Sequence, residues 1–122
     1  MYEVLAKAIG EAAQTRKKTK TIRGVLMTPE AKVKKKVYKL LKDNGAYYFS
    51  PIMGGYGKAG VPDIIACYKG KFLGIECKAG NNVPTKLQWA NLKQIQNVGG
   101  ISLVINENNL GDLEDSLRRI DG

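Results

Sequence analysis

The 122-residue chain contains no histidine, and this absence removes more chemistry than any residue present adds. Ser-His-Asp hydrolases, His-based nuclease motifs, paired-His ribonucleases and zinc sites that require imidazole are excluded. Acid and lysine chemistry remain. Acids are themselves scarce: 11 Asp and Glu stand against 20 Lys and Arg, a formal net charge of +9. That excess suits a polyanionic partner, either nucleic acid or an anionic membrane surface. No apolar run reaches the roughly 18 residues of a membrane-spanning helix, and no signal-peptide pattern opens the chain, so a cytoplasmic protein is expected. Only two cysteines occur, Cys67 and Cys77. Both fall in apolar, strand-like runs, where buried reduced thiols are the expectation. One chain of this length reads as a single domain, able to bury roughly 60% to 70% of its unfolded surface.

Against that background one stretch sets two acids and a lysine among apolar residues. Residues 61 to 68 and 71 to 79 are each of strand length and rich in Ile, Val, Leu, Phe and Tyr. Lys69-Gly70 between them is the size of a two-residue hairpin loop. If Tyr68 faces Lys71, then Cys67 meets Phe72, Ile65 meets Gly74 and Asp63 meets Glu76. A three-residue loop would instead send the two acids to opposite faces. Opposed residues have Cβ atoms roughly 5 Å apart, and two unit charges about 4 Å apart repel by roughly 4 kcal/mol at an effective dielectric near 20. The neighbours Ile64, Ile65, Ala66, Cys67, Leu73 and Ile75 read as strands covered on both faces, which adds desolvation to the repulsion. Either one acid is protonated or a divalent cation sits between them, and oxygen ligands of this kind suit Mg²⁺. Lys78, two residues beyond Glu76, falls on the same face by the strand period. An Asp, a Glu and a Lys then converge on one point.

Around this hairpin the chain divides into a basic arm over 1–27 and a domain over 28–122. Val4, Leu5, Ala8, Ile9 and Ala12 make a loose stripe that predicts a short helix over 1 to 15, weakened by Gly10. Residues 16 to 27 carry five basic residues and no acid. They read as a solvated arm, as an arm lying along phosphates, or as both in turn. Thr28 as N-cap and Pro29 in the first turn open a helix running to about Asn44-Gly45. Val33, Val37, Leu40 and Leu41 face its core side, and lysines occupy the rest. From residue 16 to residue 42 there are eleven basic residues and one acid, Glu30. Glu30 shares the stripe of Val33 and Val37 and points inward; its plain role is that of a first-turn acid favoured by the helix dipole.

Residues 46 to 53 read as a strand confined by Pro51 to an edge or an end. The glycine-rich loop 54–60 that follows is either a flexible connector or a close approach for a phosphate backbone, with Tyr56 and Lys58 as contacts. It is not a Walker loop. Lys34 and Lys35 on the first helix and Lys86 on the second are further candidates for DNA contact. After the hairpin, residues 84 to 98 predict a helix ended by Gly99-Gly100, followed by a strand over 101 to 105 lying parallel to the Glu76 strand. Thr85-x-x-Gln88 fits a capping box, which would confine Gln88 to the helix start. Trp89 is expected to pack rather than stack on bases. Leu110, Leu113, Leu117 and Ile120 predict a last amphipathic helix that closes the domain or pairs with a second subunit.

Pro62-Asp63, twelve intervening residues and Glu76-Cys77-Lys78 resemble the PD-(D/E)XK signature of the restriction-endonuclease-like nucleases. The longer pattern adds Gly60, Gln88 on a following helix and Gly99-Gly100 before the next apolar strand. Over roughly residues 28 to 106 it is similar to the VRR-NUC family, particularly its small stand-alone members of the kind found in phages. The resemblance implies an α/β restriction-endonuclease-like fold, a central mixed β-sheet flanked by helices, and hydrolysis of DNA phosphodiesters with Mg²⁺ or Mn²⁺. Asp63, Glu76 and the backbone carbonyl of Cys77 would hold the metal, with Lys78 beside the attacking water. It also implies that Glu30 reaches the site, through water or a second metal, and that Gln88 lies beside it. The substrate would be branched DNA such as a four-way (Holliday) junction, cut by a homodimer. The rival expectations are a small basic nucleic-acid-binding protein without catalysis and, more weakly, a sequence-specific restriction enzyme.

Overall fold

A computed structural model of the chain describes residues 27–52 and 57–122. The expected N-terminal helix, the basic arm up to residue 26 and Tyr56 lie outside them. Helix α1, Pro29–Asp43, starts as its sequence requires: the Thr28 hydroxyl accepts from the Ala31 N–H at 3.1 Å, and Pro29 occupies the first turn, where no N–H is needed. It ends at Asn44, whose side chain donates to the Leu40 carbonyl at 2.7 Å. Strand β1 is only Tyr47–Phe49, shorter than the expected 46–53. Pro51 has no N–H for a ladder, and the Ser50 hydroxyl pairs with the Tyr38 hydroxyl.

Strands β2, Ile64–Tyr68, and β3, Lys71–Cys77, form the hairpin. Lys69 and Gly70 both take positive φ, 49° and 82°, the backbone of a tight two-residue turn. The register is the expected one: Tyr68 faces Lys71, Cys67 faces Phe72 and Ile65 faces Gly74. The strand runs are shorter than expected, and Asp63 lies just before β2. Pro62, which cannot donate to a ladder, precedes it. Helix α2, Lys86–Asn97, returns the chain to β4, Ile101–Ile105, which pairs parallel to β3. Helix α3, Leu110–Asp121, follows.

The sheet order is β1-β2-β3-β4, a mixed sheet with helices on both faces. On one face Ile64, Ala66, Leu73, Ile75, Cys77 and Ile105 pack against Val33, Val37 and Leu41 of α1 and Leu113 and Leu117 of α3. The last helix therefore closes the domain, the first of the two roles its stripe allowed. On the other face α2 lies against β3: a Cβ at Gly74 would fall 2.5 Å from Ile95 Cδ1 and 3.0 Å from Pro62 Cγ. Two expectations are corrected here. Cys67 is exposed, because α2 does not reach over β2 at that row, whereas Cys77 is buried as expected. Trp89 is half-exposed, because α2 turns Asn91 and Leu92 inward and leaves Trp89 on its flank. No helix among the described residues is long and apolar enough to cross a membrane.

Candidate active site

The acids gather at the end of the hairpin away from its turn, where the loop entering β2 is held against α2. Gly60 has φ +76°, and a Cβ there would lie 2.5 Å from Leu87 Cγ and 2.9 Å from Asn91 Nδ2. Only glycine fits both the backbone and the space. Asn91, buried on α2, donates to the Ala59 carbonyl at 3.3 Å and to the Leu87 carbonyl at 2.9 Å. Asp63 leaves this loop and accepts, through Oδ2, a 2.8 Å hydrogen bond from the Cys77 backbone N–H. That bond extends the β2–β3 pairing beyond its last residue pair, Ile64 and Ile75, with a side chain.

Glu76, carried by the buried strand β3, is 1% exposed. Its Oε2 is a buried polar atom without a hydrogen-bond partner among the described residues, a state that costs free energy unless something else supplies a partner. Oε1 lies 3.8 Å from the Lys78 ammonium. The Glu76 carboxyl is pushed up to about 8, first by burial and then by the adjacent Asp63 carboxylate, with Lys78 acting in the opposite sense. Lys78 Nζ also lies 4.0 Å from Glu30 Oε1. Glu30 is partly exposed on the first turn of α1, yet its carboxylate turns to the sheet. One oxygen each from Glu30, Asp63 and Glu76 lies within 4.8 Å of the other two. Burial, and then the charges of Asp63 and Glu76, push the Cys77 thiol up to about 12. That thiol stays protonated, and Cys77 serves the site through its backbone.

Three acids within 4.8 Å of one another, with Lys78 beside two of them, crowd like charge into a partly desolvated place. Hard oxygen ligands fit a divalent cation. The unpartnered Glu76 oxygen is the specific observation that such an ion would satisfy, so the donor set fits a metal.

Glu30, Asp63, Glu76 and Lys78 are thus brought together. Gln88 is placed by the capping box: its Oε1 accepts from the Thr85 N–H at 2.9 Å, and the Thr85 hydroxyl accepts from the Gln88 N–H at 3.2 Å. Among the described residues no hydrogen bond links Gln88 to Lys78 or to the acids. Lys34, one turn beyond Glu30, is close enough to act on the Cys77 thiol, whereas Lys35 and Lys86 are exposed to solvent. Lys58 points elsewhere, donating to Gln94 Oε1 at 3.3 Å. Two positioning residues were missed from sequence. Asn91 had a signal, a polar residue on the helix face of Leu92 and Ile95. Glu107, whose Oε1 accepts from the Gly80 N–H at 2.8 Å just after Lys78, had none. No protein-family model matches the chain, and no curated protein is similar to it.

Proposed function

We propose that the chain is a metal-dependent DNA endonuclease of the PD-(D/E)XK, restriction-endonuclease-like type, as its resemblance to the VRR-NUC nucleases suggests. One observation carries the reading: oxygens of Glu30, Asp63 and Glu76 lie within 4.8 Å of one another, and a buried Glu76 oxygen has no partner among the described residues. Asp63, Glu76 and the Cys77 backbone carbonyl would hold Mg²⁺ or Mn²⁺. Glu30 would join directly, through water, or through a second ion. Such an ion, when bound, lowers the pKa of the attacking water and stabilises charge developing on the phosphate.

The chain's own residues supply the rest. Lys78, fixed between Glu76 and Glu30, would orient or help deprotonate the water and offset phosphate charge. Gln88, with its carbonyl committed to Thr85, keeps its amide N–H groups for positioning Lys78 or the substrate. Lys34, Lys35, Lys58, Lys86 and Tyr56 would contact the phosphate backbone. By analogy alone the substrate is branched DNA such as a four-way junction. Two symmetric cuts need two sites, hence a homodimer, acting in a bacterial cytoplasm with the chain encoded by bacterium or phage.

The test is incubation of the purified protein with Mg²⁺ or Mn²⁺, and with EDTA as control, on a labelled four-way junction, a matched linear duplex and single-stranded DNA. Metal-dependent cutting, slowed roughly 100- to 1,000-fold in Lys78→Ala, and divalent-metal binding lost in Asp63→Ala and Glu76→Ala are expected. Tight binding to all three substrates without cutting in either metal would replace this reading by a non-catalytic basic nucleic-acid-binding protein. The ion pair of Lys78 with Glu76 would then be an ordinary strand-end contact.

A further inference from the structure

The two faces of the sheet are finished differently. The face against α1 and α3 is closed, but on the other α2 covers β3 and leaves Tyr47 and Phe49 of β1 and Cys67 of β2 exposed. Tyr47, Cys67 and Phe72 are cross-strand neighbours in one row there, and Phe49, Ile65 and Gly74 in the next. Tyr47 is 68% exposed, Phe49 47%, Phe72 45%, and Ile52, just past the strand, 91%. Beside them runs an apolar groove of about 310 Å³, lined by Phe49, Pro51, Ile52, Val61, Ile65 and Phe72.

We infer that this open half-face is the contact surface between two copies of the chain, an inference that rests on the homodimer reading above and gives it a surface. Area is the first argument. With aromatic side chains of about 150–250 Å² each, the exposed fractions leave on the order of 400 Å² of apolar side chain open. That approaches the apolar share of the roughly 800 Å² per partner that a stable interface buries. Shape is the second. A projecting side chain, Tyr47, and a receiving groove walled in part by Ile52 lie on one patch, as a two-fold interface requires. Charge is the third. The lysines of α1 lie in the layer behind the opposite face, so pairing through the open face holds the two basic helices apart and leaves them free for a polyanion. The groove is lined by Phe49, Phe72, two prolines and aliphatic side chains, with Lys58 as the one cation among its described residues, too little positive charge to hold a phosphate backbone beside it. Asp63 lies two residues from Ile65 on the same strand face, so each acid cluster borders the interface.

The experiment measures mass against concentration by sedimentation for the full chain, for Ile52→Glu and Tyr47→Glu, and for Lys36→Glu on α1 as a charge control. Melting curves confirm that each variant is folded. Ile52→Glu and Tyr47→Glu each raise the dimer dissociation constant by roughly 100-fold or more, because a charge is buried without a partner; Lys36→Glu leaves it unchanged. Cys67 is a second, native reporter, since Cys77 is buried. Alkylation of Cys67 slows as the protein associates and is fast when dilute. A dimer that both variants leave intact overturns the surface and spares the homodimer, whereas a chain that stays monomeric up to roughly 100 µM overturns both. Cys67 protected at dilutions where sedimentation shows monomer, or protected only by added single-stranded oligonucleotide, also overturns the surface; the chain itself or stacked bases then cover it. No readout uses cleavage, so the nuclease reading stands or falls separately.

Discussion

The β2–β3 hairpin uses the same residue types at its two ends and obtains opposite electrostatics. At the turn, the Tyr68 hydroxyl donates to Asp121 Oδ1 of α3 at 2.8 Å, and the Lys69 ammonium pairs with the same oxygen. Lys69 also lies 5.3 Å from the centre of the Tyr68 ring. One acid, one base and one hydroxyl satisfy each other at the surface. The Lys69 hydrogen bond, with that of Tyr68, holds the Asp121 carboxyl below its ordinary value, and the same contact raises Lys69. Charged forms are favoured there, as a tether requires. At the open end Lys78 lies beside two acids, Glu76 and Glu30, and Glu76 shifts the other way because burial and Asp63 outweigh the lysine. Keeping a carboxylate where its charge is destabilised does nothing for folding. The direction of the shift therefore separates a contact that stabilises the fold from an acid cluster that strains it, the property that makes the cluster a candidate site.

The largest expected effect follows from that direction. Because the folded-state value of Glu76 is raised from 4.5 to about 8, the protonated acid stabilises the fold fully below about 4.5. That contribution is lost as pH rises towards about 8. In metal-free buffer the stability of the native protein falls across this window, whereas Glu76→Gln, neutral and nearly isosteric, does not follow it. Near pH 8 the variant is more stable by about 2–4 kcal/mol. Mg²⁺ or Mn²⁺ added at that pH restores the native protein and leaves the variant unmoved. Denaturant titrations at several pH values check this, and a native profile that does not fall would mean that Glu76 is satisfied without a cation, erasing the difference between the two ends.

Much of this contrast was legible in the residues. The Lys69-Gly70 turn fixed the register, and with it the meeting of Asp63 and Glu76, because pairing is counted outward from a two-residue loop. The Thr28 and Thr85 caps placed both helix starts, because capping is local chemistry. Packing over longer distances was not legible. The sequence of β2 is apolar at Ile65 and Cys67 as well as at Ile64 and Ala66, so it reads as covered on both faces; how far α2 extends over the sheet decides that, and no local pattern states it. Trp89 was misjudged for the same reason. The Asp121 tether joins residues 53 positions apart through two side chains ordinary for their surroundings. Glu30 was legible as an inward-pointing acid, but its meeting with Lys78 depends on how α1 crosses the sheet.

A smaller effect sharpens the comparison at the site end. Gln88→Ala and Thr85→Ala each break the capping box and destabilise the protein by about 0.5–1 kcal/mol. If Gln88 also positions Lys78 or the substrate, Gln88→Ala cuts the junction roughly ten-fold more slowly than Thr85→Ala at equal stability. Cleavage rates measured beside melting temperatures for the two variants decide it. Equal rates would reduce Gln88 to a helix cap and confine the site to Glu30, Asp63, Glu76 and Lys78.

The smallest effect is expected at the turn. Lys69 and Asp121 are 59% and 40% exposed, so solvent and salt screen their pair. Asp121→Asn leaves cleavage unchanged and lowers the melting temperature by less than Gln88→Ala, a loss that high salt removes. Its pH signature is what makes it informative. The Asp121 value is lowered, so its contribution is present above the unfolded value and disappears as pH falls. Asp121→Asn and Glu76→Gln each delete one carboxylate, and both should converge with the native protein in acid. As pH rises they diverge in opposite directions, Asp121→Asn below the native protein and Glu76→Gln above it. The ends do not touch, so the double variant should show the sum of the two single effects. Divergence in the same direction would mean that the net charge of +9, rather than the local partners of each acid, governs both ends.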